Sequence, residues 1–290
     1  MPTNSRKAGR RVPRRVIMVG AAALASGLAV STGTATAGGT SAPGFTSGLP
    51  IYAILPEGLY YINQTDSSFR TVRGVDVRVN SNIFFFYYQS PIVLADGAVS
   101  FVVAPTVVDV ATSVSSNGVN LYNTYFASQI SWQIADGLFF GARLGGYIPQ
   151  NNELALDYGT IEPRFGLTYL ANGWQATSNF IFGKPVGGTT AATRAPDYFL
   201  ADFSVTKTFG KWALGPVAHV STDLNRPYES YRRQKQFAVG GMVSYDFGGA
   251  TLQVKLTRDV SQTNYGGKET AVWTNLIVPL SVPEKSPETK

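Results

Sequence analysis

From residue 58 onward, apolar and polar residues alternate along the chain with a period of two, the spacing that sends successive side chains to opposite faces of a β-strand. In 198–209, Phe199, Ala201, Phe203, Val205 and Phe209 fall on one face and Asp202, Ser204, Thr206 and Thr208 on the other. In 251–259, Leu252, Val254 and Leu256 oppose Gln253, Lys255, Thr257 and Asp259. The same split separates Phe126, Ile130, Trp132 and Ile134 from Asn123, Tyr125, Gln129, Ser131 and Gln133. Every such segment has one greasy face and one wet face. The pattern predicts twelve strands, near 58–65, 82–94, 98–110, 122–135, 138–148, 160–170, 174–184, 198–209, 212–222, 236–247, 250–260 and 271–280.

Turn chemistry orders these strands. Asp96-Gly97, Asp136-Gly137 and Asn172-Gly173 are pairs that tolerate positive φ, and Gly210-Lys211 and Gly248-Gly249 fall at matching places. Between the short turns lie longer polar stretches, roughly 66–81, 111–121, 149–159, 185–197, 223–235 and 261–270, expected as loops. An even number of antiparallel strands, with short turns and long loops alternating and apolar residues facing out, describes an all-β, transmembrane, up-and-down β-barrel of about 12 strands. A soluble sandwich or lipocalin-like barrel also alternates, with its apolar face inward. Two features favour the membrane. Aromatics gather beside the short turns (Trp132, Phe139, Phe140, Trp174, Phe209 and Trp212), as a girdle at lipid headgroups would require. The polar faces also carry charges of both signs at mid-strand.

Composition sharpens this picture at the N-terminus. The 24 Lys and Arg outnumber the 18 Asp and Glu by six, and Arg6, Lys7, Arg10, Arg11, Arg14 and Arg15, with no acid before residue 38, account for that excess. The body of the chain is neutral. A basic start, the apolar stretch 16–30 and Ala35-Thr36-Ala37 predict a signal peptide over 1–37. Residues 38–56 are then a periplasmic or plug segment, 57–280 the barrel, and 281–290 a disordered periplasmic tail. The destination of such a barrel is a Gram-negative-type outer membrane, so the expected partners are outer-membrane lipids, periplasmic chaperones and the barrel-assembly machinery. With no Cys and one His, thiol catalysis, Cys-based metal sites and disulfide scaffolds are excluded. No phosphate loop, EF-hand or basic aromatic-interleaved stripe occurs, so neither a cofactor, a metal nor nucleic acid is expected.

Facing assigns the candidate chemistry. Arg143, Glu162, Arg164, Asp202, His219 and Lys255, with Tyr125 and Tyr147, are expected inside, where they either line a substrate path or pair with one another and fill the interior. His219 and Ser221 share a strand face, the spacing of a hydrolase in which His activates Ser. Their strand nevertheless turns Leu214, Ala218 and Val220 toward lipid, which favours an ordinary lumen histidine.

The stretch Leu55-Pro56-Glu57-Gly58-Leu59-Tyr60-Tyr61 at the start of the first strand, and Trp212-Ala213-Leu214-Gly215-Pro216 later, resemble the outer-membrane family labelled MetA-pathway of phenol degradation, related to the SphA-like proteins. That resemblance implies a barrel encoded near catabolic pathways that passes hydrophobic or aromatic compounds, and it carries no catalytic residues over. The expected function is therefore a non-enzymatic outer-membrane channel for passive uptake of hydrophobic or aromatic small molecules. The alternatives are an acyl hydrolase using His219 and Ser221, and a structural or adhesive barrel working through its outer loops.

Overall fold

The computed structural model describes residues 39–150, 152, 154–187 and 195–282. The expected signal peptide and all but the first two residues of the expected tail lie outside the described residues. Twelve strands follow in chain order: β1 (Gly58–Val72), β2 (Val75–Leu94), β3 (Gly97–Thr112), β4 (Ser116–Ala135), β5 (Leu138–Ile148), β6 (Gly159–Ala171), β7 (Trp174–Val186), β8 (Tyr198–Phe209), β9 (Trp212–Asp223), β10 (Lys235–Asp246), β11 (Thr251–Thr263) and β12 (Thr270–Ser281). Each pairs antiparallel with its sequence neighbours, and β1 closes on β12 through a register that includes Thr65↔Thr274 and Asp66↔Trp273. The sheet has no free edge, so every strand finds its ladder partners within the barrel.

The alternation decides the two faces. Leu144 is 62% exposed on the outside, whereas Glu162 and Asp202 are 0% and 1% exposed inside. Phe126, Ile161, Phe165, Val205, Leu214 and Leu256 share the outer face with Leu144. That surface inverts the soluble pattern and suits a hydrocarbon surround. Trp174 and Trp212 stand exposed beside their turns, with Lys207 Nζ 5.0 Å above the Trp174 ring and Tyr245 edge-on to Trp212 at 4.7 Å.

Two expectations are corrected. The stretches 66–81 and 111–121 are mostly strand: β1 and β2 extend to the two-residue turn Arg73-Gly74, with φ of 49° and 83°, and β3 and β4 meet across 113–115. The reason is visible in Val75, Val77 and Val79, which alternate with Asp76, Arg78 and Asn80 and bring Val79 into a cluster with Val108, Tyr122 and Tyr265. Polar residues there occupy the outer face of a tall hairpin. The Asp96-Gly97 turn also shifts by one residue to Ala95-Asp96, both at positive φ, and Gly97 opens β3. Glycine is needed there because a Cβ would lie 2.7 Å from Trp132 Nε1, whose N–H donates to the Ala95 carbonyl at 2.8 Å.

Candidate functional site

Residues 39–57 run inside the barrel. Pro43, Pro50 and Pro56 remove amide donors and Gly44 and Gly48 adopt positive φ, so the segment cannot add a strand to the wall. It coils instead into successive turns, Ser47 N–H to Gly44 O at 3.2 Å, Leu49 N–H to Thr46 O at 3.1 Å and Ala53 N–H to Pro50 O at 3.0 Å. Turns satisfy only part of its backbone, and side chains of the wall take the remainder.

Asp202 on β8 accepts from the Gly44 N–H at 2.9 Å and the Thr46 N–H at 3.0 Å. Lys255 on β11 donates to the carbonyls of Gly44 and Ser47, and Gln175 and Gln253 both donate to Gly48 O, at 2.8 and 3.2 Å. Gln129 donates to Ile51 O at 2.9 Å and accepts from Arg143 Nε at 2.9 Å. Glu162 gathers the Ser41 hydroxyl at 2.7 Å, the Tyr198 hydroxyl and the Arg164 guanidinium. Arg164 in turn lies over Phe45 at 4.9 Å and Tyr125 at 4.3 Å. Tyr52 donates its phenol to Asn179 Oδ1 at 2.6 Å, and burial holds that phenol above its ordinary pKa, so it stays a neutral donor.

Close approach requires glycine at one point in particular. The Tyr52 ring lies against Gly141 on β5, where a Cβ would fall 2.0 Å from the ring. Glycine within a strand marks such an approach. This was the sequence signal for an occupied lumen, and alternation alone does not carry it.

The plug does not fill the barrel evenly. Its polar contacts run around β4 to β11 and include Gln64 on β1, which donates to the Phe45 carbonyl, while Ile62, Phe85, Tyr87 and Val102 on β1, β2 and β3 present an apolar surface to the interior. Between those strands and the plug's Leu49, Ile51 and Leu55 lies a mainly apolar cavity of about 310 Å³ near the short-turn end, with Arg143, Asp246 and Thr251 at its margin. Beyond it a void of about 30 Å³ is lined by Ile83, Ala104, Val108 and Tyr122. Phe85 borders both spaces and faces Phe45, which borders the smaller one, with ring centroids 6.3 Å apart and planes 14° apart. The lumen thus has a polar wall that holds the plug and an apolar wall that stays partly open.

The residues singled out from the sequence all sit on the inner face. Arg143, Glu162, Arg164, Asp202 and Lys255 form the network that grips the plug, Tyr147 shares Ser41 with Glu162, and Tyr125 stacks under Arg164. His219 and Ser221 are 2% and 0% exposed, and neither His219 Nδ1 nor Ser221 Oγ has a hydrogen-bond partner among the described residues. Asp202, paired with His219 across β8 and β9, is committed to the plug's amides. The His–Ser relay of a hydrolase is not assembled. Sequence reasoning did not single out Phe45, which lies in a segment with no period, or Val102, whose apolar side chain reads as lipid-facing until the register places it inside.

Residues 62–276 match a family model described as "Putative MetA-pathway of phenol degradation". The crystal structure of an outer membrane channel from Pseudomonas putida F1 superposes with a TM-score of 0.67 at 12% identity, covering 78% of this chain and 97% of that one. The translocator domain of the autotransporter NalP from Neisseria meningitidis gives 0.48 at 14% identity, over 79% and 91% of the two chains. The NanC porin gives 0.46 at 9%, over 75% and 100%. No curated protein matches the chain in sequence. At 12% identity the first structure shows a shared barrel fold.

Proposed function

Because the chain belongs to the MetA-pathway of phenol degradation family, we propose that it is an outer-membrane channel through which small hydrophobic or aromatic molecules diffuse passively along the apolar wall of the lumen. The observation that carries this reading is the cavity of about 310 Å³ between the plug and β1–β3, lined by Leu49, Ile51, Leu55, Ile62, Phe85 and Val102. Its size stands at the lower end of small-molecule sites, ~300–1,000 Å³. A single-ring compound suits it better than an oligosaccharide. An apolar solute leaving water gains roughly 25 cal/mol for each Å² it buries against that wall, whereas a sugar would have to desolvate hydroxyls with few partners.

Phe45 belongs to the plug and Phe85 to β2, so the stacked pair stands where plug and wall meet. In this reading rotation of the Phe85 ring, which borders both spaces, joins the larger cavity to the smaller void. Transport then needs side-chain motion at the pair and leaves the polar latch of Asp202, Lys255 and Glu162 closed.

The experiment is permeation through liposomes containing the purified, folded protein, over a panel of single-ring aromatics and monosaccharides of similar mass. The expected result is faster entry of the aromatics. Equal or faster entry of the sugars overturns the apolar path, and permeability to neither class supports a sealed barrel acting through its loops.

A further inference from the structure

The outer face holds a second feature that passage through the lumen does not use. In the registers β2–β1–β12–β11, Arg78 pairs with Phe69, Phe69 with Thr270, and Thr270 with Arg258, so these four residues form one row across adjacent strands. All four point outward: Arg70, Ser68, Val79, Thr257, Asp259 and Ala271, their immediate strand neighbours, are buried inside. Arg78 lies over the Phe69 ring at 5.3 Å and donates from Nε to Asn80 Oδ1 at 3.1 Å, leaving its terminal nitrogens for a ligand, and the Arg258 guanidinium donates to the Thr270 hydroxyl. Lys268 borders the same groove, whose volume is about 680 Å³. Among the described residues neither arginine nor Lys268 has an ion-pair partner.

The height of this row matters. At ~3.3 Å per residue and a strand tilt of ~35–45°, each residue climbs about 2.5 Å along the barrel axis. Arg258 lies seven residues beyond Thr251, Phe69 and Thr270 eleven from Gly58 and Ser281, and Arg78 sixteen from Leu94, so the row climbs from about 17 to about 40 Å above the short-turn end, against an apolar band of ~25 Å. It runs from the upper part of the hydrocarbon at Arg258 into the headgroup level beyond it at Arg78, on the long-loop side. Below and beside it the outer face of β1 and β2 is polar where other strands are apolar: Asn63 donates to Asn82 at 2.7 Å and Ser67 to Asn80 at 2.8 Å. Leu256 and Val272 stand in the same register as Ser67 and Asn80. Amides and hydroxyls facing acyl chains are costly, and guanidiniums more so, unless a ligand meets them. Two carboxylates, Asp76 and Asp109, share the patch, but Asp76 already accepts from Thr71 at 2.7 Å and Asp109 from Asn80 at 3.1 Å. The balance of charge is positive and the surroundings are hydrogen-bonding, over an acyl-compatible floor.

We propose that Arg78, Arg258 and Lys268, with Phe69 and Thr270, bind the phosphorylated headgroup of a glycolipid in the leaflet at the long-loop side. The guanidiniums take phosphate oxygens, for which their planar donor forks are suited, and Asn63, Ser67, Asn80 and Asn82 meet sugar hydroxyls. The acyl chains lie on Leu256 and Val272. The site needs the outer face to contact lipid and is independent of what crosses the lumen.

The test uses the folded protein in detergent with four probes: bisphosphorylated diglucosamine lipid, the same lipid dephosphorylated, phosphatidylglycerol and inorganic phosphate. Native mass spectrometry is expected to show the bisphosphorylated lipid retained and the other three lost. R78Q/R258Q is expected to weaken retention about ten-fold with liposome flux unchanged, whereas R78K/R258K keeps the charge and most of the binding. Equal retention of the dephosphorylated lipid or of phosphatidylglycerol by the native protein overturns the proposal, as does capture of inorganic phosphate alone. So does a dimer that is lost in R78Q/R258Q, which would make this face a contact between copies. The comparison among probes on the native chain decides the matter even if a variant fails to fold.

Discussion

Asp202 shows how much one inward residue controls. Its two oxygens serve the amides of Gly44 and Thr46, and removing a buried acceptor leaves each donor unpaired at a cost of roughly 1–3 kcal/mol. Asp202→Ala is expected to loosen the plug while the barrel stays folded, giving higher and less selective liposome flux; unchanged flux with unchanged selectivity would show that Asp202 does not hold the plug. Glu269, in the connection between β11 and β12, makes a different prediction. Burial, with the Asp259 carboxylate nearby, raises its carboxyl to about 7 against the opposing pull of Arg70, 3.9 Å away. A carboxyl whose folded pKa is raised stabilises the fold at low pH, and that contribution is lost as pH rises from the usual carboxylate range through about 7. The unfolding midpoint in detergent should therefore fall between pH 5 and pH 8, and Glu269→Gln should flatten that slope; an equal slope in the variant would contradict the assignment. Alternation was enough to put Asp202, Glu162, Arg164 and Lys255 inside. Their shared task was not legible, because it depends on a Pro-, Gly- and Ser-rich segment that has no period of its own.

At the scale of elements, the strand order was legible because side-chain period and turn chemistry are local properties. The tall hairpins β1–β2 and β3–β4 were not, because Arg78, Asn80 and Asn120 are as polar as loop residues and only their pairing shows them to be strand. The meeting of plug and wall belongs to this scale too. Tyr52 seats on Gly141, and Gly141→Ala would place a methyl carbon 2.0 Å from its ring. The plug of Gly141→Ala is expected to become susceptible to added protease in the folded barrel, and Tyr52→Ala in the same chain to restore protection in part. Two additive effects, with no rescue, would mean that ring and glycine do not interact.

For the whole molecule, closure of β1 on β12 makes the interior a single space, and the plug divides it. Gln64 on β1 and polar side chains on β4–β11 hold the plug, and the apolar residues of β1–β3 leave room beside it. The division is one of local lining: Ile62, Phe85, Tyr87 and Val102 border the open space, whereas Gln64, Gln129, Asp202, Gln253 and Lys255 are bonded to the plug. The chain contains no cysteine, so one introduced thiol reports one place. The most direct test compares Val102→Cys, on the apolar wall, with Gln253→Cys, on the polar wall, in liposomes, before and after complete modification with a bulky thiol reagent. The lumen described here predicts that modification at position 102 abolishes most aromatic flux and that modification at 253 leaves it largely intact. Flux that survives at 102 and is blocked at 253 would contradict it.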